Sequence, residues 1–294
     1  MTTTPSPPAR NKLLIGLIGS GIQRSLTPAM QEEEARAQGV RLHYQLIDLD
    51  VTGAGVADLP GLLKAARTMG YAGLNITYPC KQAVIPHLDE LSDEARAMGA
   101  VNTVVIRDGR LIGHNTDGSG WARGFTRALP DADLRCAVLL GAGGAGAAIA
   151  HAALRLGVQA LRILDVDPAR AQALAAELNR LYEGERASGW TDVAAALDGA
   201  TGLIHATPTG MDKLPGLPLP AELVRADLWV SEVVYFPLET ALLKLARERG
   251  CRISDGGGMA VGQAVGAFEL FTGVTPDAGR IEQHFRALVS QRQN

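Results

Sequence analysis

Short apolar runs alternate with alanine-rich amphipathic stretches along most of the chain, the pattern of an α/β fold with mostly parallel sheets. In the first part, LLIGLIG (13–19), LHYQLIDL (42–49), AGLNIT (72–77) and VNTVVI (101–106) read as strands, with helices over 28–38 and 56–69. Asp108-Gly109 offers a two-residue turn, so 101–106 and 111–116 are expected to form a hairpin. A helix begins near residue 118. RCAVLLGAGGAGAAIAHAALRLG (135–157) then reads as strand, glycine-rich turn and helix. LRILDV (161–166) is the next strand, and the helix over 168–182 opens on Pro168, a residue suited to the first helical position. Further strands fall at 201–206 and 228–234, and the four prolines of 208–220 predict irregular structure there. Two helical segments close the chain, one after CRISDGGG (251–258) and one in PDAGRIEQHFRALVSQ (276–291).

This reading divides the chain into a loose polar tail (1–12), an N-terminal α/β substrate domain (13–117), a Rossmann-type dinucleotide-binding domain (118–255) and C-terminal helices (256–294). A length of 294 residues accommodates two domains. The hydrophobic fraction of 47% and charged fraction of 20% are those of a globular protein. A net charge of −3 without a dense Lys/Arg run gives no reason to expect nucleic acid or an anionic membrane as partner. Cys80, Cys136 and Cys251 are odd in number and far apart, which argues for reduced thiols and a cytoplasmic setting, and no metal-ligand spacing is present. LLIGLIGSGI is too short and glycine-broken for a signal peptide or a span, and is read as a buried strand. Monomer and homodimer remain equally open.

Composition leaves the chemistry undecided; the turn at 141–146 narrows it. Gly141, Gly143 and Gly146 form GxGxxG, with Ala142, Gly144 and Ala145 between them, directly between an apolar strand and a helix. In that context the first glycine permits the turn, the second lets backbone approach a pyrophosphate, and the third lets helix and strand pack. The helix start adds free N–H groups and partial positive charge. Asp165 follows the first glycine by 24 residues, at the end of the next strand. A carboxylate there accepts from the adenosine ribose and repels the extra phosphate of NADP, so NAD is the expected cofactor. Asp167, just before Pro168, is the better helix cap, which leaves Asp165 for the ribose. Arg170 could meet a phosphate, so use of NADP stays open.

Polar residues also gather at strand ends in the first domain. Ser25 and Thr27 precede a helix, where Thr27 has an alternative role as cap with Pro28 behind it. Asn75 and Thr77 share one face of a strand by period-two alternation. Lys81 follows near a helix start, a position the macrodipole disfavours for a cation. Asn102 and Asp117 end polar strand termini, where turn roles are the ordinary explanation.

Taken together, SLTP (25–28), NITYPCKQ (75–82), GAVNTVV (99–105), GHNTD (113–117), GAGGAG (141–146), ATPTGM (206–211), VVYFPLET (233–240) and DGGGMAVGQA (255–264) resemble, in order and spacing, the shikimate/quinate dehydrogenase family from about residue 13 to 287. The resemblance implies a substrate domain and a Rossmann-type domain flanking a cleft, with the terminal helix returning to the first. It implies Lys81 and Asp117 as catalytic pair. Ser25 and Thr27 would bind the substrate carboxylate, Asn75, Thr77, Asn102 and Gln263 the ring hydroxyls, and Tyr235 the substrate. Thr207, Val233 and Met259 would lie on the cofactor side. The implied reaction is reversible oxidation of the C3 hydroxyl of shikimate or quinate to the ketone, in aromatic biosynthesis or in quinate catabolism.

The chain departs from the family pattern at Met30-Gln31, where His-Asn is common, at Cys80 before Lys81, and at Asp165-Val166-Asp167, where NADP-type members carry Asn-Arg-Thr. Thr27 together with Asp165 resembles the NAD-using quinate/shikimate branch. Three other enzyme classes lack their signatures. Tyr78 and Lys81 are one residue too close for a short-chain dehydrogenase, alanines follow Gly146 where a P-loop needs Lys, and zinc-ligand spacing is missing. A cofactor-sensing module on the same scaffold is the alternative, separable by its lack of turnover. So is a relative acting on an amino-substituted ring acid.

Overall fold

The computed structural model describes residues 12–293 and contains two six-stranded sheets. The expected tail lies outside the described residues except for Lys12, which is already the first residue of a strand. The first sheet comprises β1 (Lys12–Gly19), β2 (Arg41–Asp48), β3 (Gly73–Ile76), β4 (Glu90–Leu91), β5 (Thr103–Arg107) and β6 (Arg110–His114), in spatial order β2-β1-β3-β5-β6-β4. Between them run α1 (Thr27–Ala37), α2 (Leu49–Thr52), α3 (Leu59–Thr68), α4 (Cys80–Ala83) and α5 (Asp93–Met98).

This sheet is mixed: β1 runs parallel to β2 and β3, whereas β3–β5 and β5–β6 are antiparallel. The reason is the expected hairpin. Asp108 and Gly109 both have positive φ (51° and 75°), the two-residue geometry that joins adjacent antiparallel strands.

α6 (Asp117–Ala128) leads into the second sheet, which is wholly parallel: β7 (Cys136–Leu140), β8 (Ala160–Leu164), β9 (Ala187–Gly189), β10 (Gly202–His205), β11 (Trp229–Glu232) and β12 (Arg252–Ser254). Its helices are α7 (Gly144–Leu156), α8 (Pro168–Leu181), α9 (Val193–Leu197) and α10 (Ala241–Glu248). The order β12-β11-β10-β7-β8-β9 is the doubly wound order of dinucleotide-binding sheets, with the chain reversing direction across the sheet between β7 and β10. A crevice forms outside the strand ends at that point.

Two helices tie the sheets together. α11 (Gly256–Thr272) crosses α6 so closely that a Cβ on Gly124 would stand 2.6 Å from the Gly258 backbone, and one on Gly262 would overlap the Gly120 carbonyl oxygen. Trp121 and Phe125 of α6 sit in the core of the second sheet, where Trp121 Nε1 donates to Ser231 Oγ at 2.9 Å. Ala267 and Phe271 of α11 pack instead with Leu13, Ile15 and Val105 of the first sheet.

The closing helix α12 (Ala278–Gln293) returns to the first half as the resemblance implies. Ile281, Phe285 and Val289 pack with Leu26 and Met30 of the α1 region and with Ala260 and Ala264 of α11. Arg280 adds a two-point contact to the buried Glu34 of α1, at 2.7 and 2.8 Å. Among the described residues no helix is long and apolar enough to cross a membrane, and no group of three or more His, Cys, Asp or Glu side chains is placed to hold a metal.

Candidate active site

Lys81 lies on α4, just beyond the end of β3, and Asp117 is the first residue of α6. The hairpin and the β3–β5 pairing bring these two helix starts together, and Lys81 Nζ stands 2.5 Å from Asp117 Oδ2. The lysine side chain is one-quarter exposed and the aspartate nearly buried. A carboxylate at the start of a helix is also favoured by the macrodipole. The second oxygen, Asp117 Oδ1, accepts from Asn102 Nδ2 at 2.8 Å, and the Asp117 backbone N donates to Asn115 Oδ1 at 3.0 Å. The pair expected from the sequence therefore meets, and its carboxylate is held from behind.

The two asparagines belong to one buried hydrogen-bond network behind the pair. Asn75 is buried, its Oδ1 accepting from Tyr44 OH at 2.8 Å and its Nδ2 donating to Thr103 Oγ1 at 3.1 Å and to Asn102 O at 3.2 Å. Both N–H groups of its amide are engaged inside the protein, while Oδ1, with one donor, keeps a free acceptor position. For Asn102, Oδ1 accepts from Thr116 N and Thr103 Oγ1, and Nδ2 donates to Asp117 and Thr116. Thr77, at the end of the same strand as Asn75, is only half-buried.

The Ser25–Thr27 segment reverses its expected local roles. α1 starts at Thr27, so Leu26 takes the cap position and no side chain caps the helix. Ser25 Oγ accepts from Thr27 N at 3.3 Å, which relieves Thr27 of a capping role and gives Ser25 a local one. Leu26 and Met30 anchor this segment in the α1–α11–α12 cluster. That cluster brings it beside α11, where Gln31 Nε2 donates to Ala264 O at 2.9 Å, one residue from Gln263.

Gln263 itself sits at the α6 crossing, its backbone N 2.5 Å from a Cβ built on Gly120. Tyr235 follows β11, and its ring lies 6.3 Å from that of Phe285. Tyr235 is 41% exposed, and desolvation, followed by the negative charge of Asp117, pushes its hydroxyl's pKa up, which places it in the same electrostatic neighbourhood as the pair.

A functional residue absent from the sequence reading is Asp48, at the end of β2. It accepts from Gly21 N, Ile22 N, Asp50 N (each 3.1 Å) and Gln23 Nε2 (3.0 Å), closing the loop that leads to Ser25. Burial acts most strongly to raise its pKa, but the hydrogen bonds from Gln23, Asp50, Gly21 and Ile22 outweigh it and hold the carboxyl below its usual range. No sequence signal singled it out, because β2 carries other polar residues, Arg41, His43 and Gln45 among them.

On the other side of the crevice, the glycine turn has the shape its sequence requires. Gly141 has φ 103°, a conformation costly for any side chain. A Cβ on Gly146 would overlap the Gly141 carbonyl oxygen, whereas Cβ atoms on Gly143 and Gly144 would meet open space. The α7 start thus presents free N–H groups to an open cradle, the fit a dinucleotide pyrophosphate needs. Ala142 and Ala145 complete the turn, and Thr207 stands against it, with Cγ2 3.1 Å from a Cβ built on Gly141.

Asp165 accepts from Ala142 N at 2.7 Å and from Asp167 N at 3.0 Å, leaving other acceptor positions of its carboxylate unused. Asp167 caps α8 through Ala169 N, as expected. Arg170 is drawn to Asp167 (3.6 Å) and stays largely exposed. Met259 is buried in the second core, with Val233 packed against the same cluster.

Behind Thr207 lies a second feature the sequence reading missed. His205 and Glu232 are opposite each other on β10 and β11, and their side chains are fully buried. His205 Nδ1 contacts Glu232 Oε1 at 2.8 Å, and His205 Nε2 contacts Thr207 Oγ1 at 2.6 Å. Glu232 also accepts from Val233 N, Val234 N and Thr240 Oγ1. The segments bearing Thr207 and Val233 are thereby fixed to one another.

Residues 17–104 match the family model described as shikimate dehydrogenase substrate binding domain, and residues 256–284 that of the shikimate 5'-dehydrogenase C-terminal domain. The chain is 57% identical to a shikimate dehydrogenase (NADP(+)) of Streptomyces avermitilis over 92% of this chain and 94% of that one. It is 48% identical to a quinate/shikimate dehydrogenase (NAD(+)) of Corynebacterium efficiens over 95% and 99%. Among solved structures, quinate dehydrogenase from Corynebacterium glutamicum in complex with NAD superposes with a TM-score of 0.89 at 46% identity, covering 94% of this chain and 99% of the other.

Proposed function

The chain belongs to the shikimate/quinate dehydrogenase family, and from that premise we propose that it oxidises the C3 hydroxyl of shikimate or quinate reversibly, with Lys81 and Asp117 moving the proton. The reading rests above all on the 2.5 Å contact between those two side chains at the end of the first sheet. Residues 13–117 serve as substrate domain, 118–255 as dinucleotide domain, and 256–294 as the helices that close back on the first.

When bound, the nicotinamide dinucleotide supplies the hydride acceptor. The protein's task is to hold the reacting carbon in line and to take the hydroxyl proton. The Lys81–Asp117 pair, 2.5 Å apart, takes the proton of the reacting hydroxyl in the oxidation and returns it in the reduction. Thr27, Ser25 and Tyr235 hold the substrate carboxylate through hydroxyl donors. Asn75, Thr77, Asn102 and Gln263 hold the ring hydroxyls, and Asn102 also steadies Asp117 from behind.

The glycine turn with its open cradle holds the pyrophosphate. Asp165 carries the preference for NAD: a carboxylate at that strand end accepts from ribose hydroxyls and repels a phosphate. The pairing of Arg170 with Asp167 supports the same preference, because a second anion would have to compete for that guanidinium. The relatives named for NAD and for NADP make this a property of individual residues rather than of the family. The three cysteines are free and buried, in keeping with a cytoplasmic setting.

A steady-state panel of shikimate and quinate against NAD and NADP, followed at the NADH absorbance, tests the reading. Turnover with at least one acid and a higher kcat/KM with NAD are expected. Binding of NAD without turnover of either acid would replace the enzyme by a sensor. Lys81→Met should lower kcat by about 10²- to 10⁴-fold with a smaller change in KM for the acid. A loss below about tenfold removes Lys81 from the proton route.

A further inference from the structure

We propose that Tyr44, Asn75 and Thr103 are positioning residues for the reaction, forming with Asn102 a one-way chain of hydrogen-bond donors that ends on Asp117. The inference rests on the role assigned to Asp117 above. Tyr44 OH donates to Asn75 Oδ1 at 2.8 Å, Asn75 Nδ2 to Thr103 Oγ1 at 3.1 Å, Thr103 Oγ1 to Asn102 Oδ1 at 2.9 Å, and Asn102 Nδ2 to Asp117 Oδ1 at 2.8 Å. All five side chains are buried. They come from β2, β3, β5, the residue before β5 and the start of α6. The chain therefore crosses most of the first sheet beneath the crevice.

The direction of every bond is fixed by backbone groups that have one role each. Thr116 N can only donate, and it meets Asn102 Oδ1 at 2.8 Å, so the Asn102 amide must turn Nδ2 toward Asp117. The Asn102 carbonyl can only accept, and it meets Asn75 Nδ2 at 3.2 Å, so Asn75 must turn Oδ1 toward Tyr44. Thr103 has a single hydroxyl proton. It goes to Asn102 Oδ1, which leaves the Thr103 oxygen to accept from Asn75. Burial pushes the Tyr44 hydroxyl well above its usual pKa, so it stays a donor.

Donors aligned head to tail polarise one another, and here each reinforces the bond nearer the carboxylate. The effect is to hold Asp117 with Oδ1 toward the interior and Oδ2 toward Lys81. Without that hold, rotation of the carboxylate would take Oδ2 away from the ammonium. Local packing has no need of such a chain: an apolar residue at position 44 would fill the same space without requiring a partner.

The test uses the full-length protein carrying Tyr44→Phe, Thr103→Val and Thr103→Ser, with kcat, KM for the acid and Kd for NADH measured on each. Loss of a net hydrogen bond corresponds to about two- to tenfold in rate. Tyr44→Phe should lower kcat about threefold and Thr103→Val about tenfold. Kd for NADH should stay within about twofold, because Tyr44 and Thr103 lie in the first sheet and the dinucleotide turn in the second. Thr103→Ser, which keeps the hydroxyl, should recover most of the rate lost in Thr103→Val.

An equal fall in the serine and valine variants would assign the effect to packing and overturn the proposal, as would kcat unchanged in both Tyr44→Phe and Thr103→Val. Should Tyr44→Phe fail to fold, the valine and serine pair decides alone. A reading independent of turnover is the side-chain amide proton of Asn102 bonded to Asp117. Its NMR resonance should move in Thr103→Val and return toward the original position in Thr103→Ser, and an unmoved resonance refutes the chain. Wild-type turnover tests the assigned reaction, whereas this resonance tests the chain even if that reaction is wrong.

Discussion

Asp48 offers the sharpest test of how the first sheet places the substrate loop. In Asp48→Ala four hydrogen bonds disappear together: those from Gly21 N, Ile22 N, Gln23 Nε2 and Asp50 N. Gly21 and Gln23 are exposed, so their donors regain water and each costs about 0.5–1 kcal/mol net. Ile22 N is buried and is left unsatisfied, at about 1–3 kcal/mol. With Asp50 N, also on an exposed residue, counted like the other two, the total is about 2.5–6 kcal/mol, measured as the shift in urea unfolding at pH 7. Because the freed loop carries Ser25, KM for the ring acid should rise while Kd for NADH, set on the other sheet, stays constant.

The pH dependence has a fixed sign. The folded carboxyl titrates below its unfolded value, so its stabilisation is complete above the unfolded pKa and is lost as pH falls through the folded one. Wild type and Asp48→Ala should therefore converge in stability as pH drops below about 4. A difference under about 0.5 kcal/mol at pH 7, or one that grows toward acid, refutes the reasoning.

Three further outcomes follow from the same contacts. Gly146→Ala forces a Cβ into the Gly141 carbonyl oxygen and should weaken NADH binding at least about tenfold, read by fluorescence titration; unchanged affinity would remove the turn from the cofactor site. Asp165→Ala deletes the acceptor of Ala142 N, and the ratio of kcat/KM for NAD over NADP should fall about tenfold or more. A constant ratio would show that selectivity lies elsewhere. Glu34→Gln should cost about 2 kcal/mol, because the buried carboxylate accepts twice from Arg280 and once from Asp277 N, and thermal unfolding of the two proteins would show no difference if α12 is held by its apolar face alone.

What the sequence revealed, it revealed through local pattern. The glycine turn, the Asp-Gly hairpin and the Asp167-Pro168 helix start depend on residues next to one another, and each matches its expected geometry. Short elements such as β4, β9 and β12, of two or three residues, leave no periodic trace. Within the site, Lys81 and Asp117 were legible as residue types, whereas the engagement of Asn75 was not, because its partner Tyr44 lies 31 residues earlier on a strand two places away in the sheet. Tyr44 sits on the buried side of β2, and a buried tyrosine hydroxyl needs a partner. Ser25 and Thr27 exchanged roles through a shift of one residue in the helix start, smaller than sequence pattern resolves.

The two halves of the proposed chemistry lie on separate sheets, and α6 and α11 each belong to both. Asp117 opens α6 within the hydrogen-bond network of the first sheet, while Trp121 and Phe125, one and two turns on, are sealed into the second core. On α11, Met259 lies in the second core, Gln263 meets α6 at Gly120, and Phe271 ends in the first. The glycine contacts at 120, 124, 258 and 262 bring these helices backbone to backbone, so neither can shift without moving residues of both sites. A change in the α6–α11 crossing would therefore alter the distance between the proton-handling pair and the dinucleotide cradle, while leaving each intact in its own sheet.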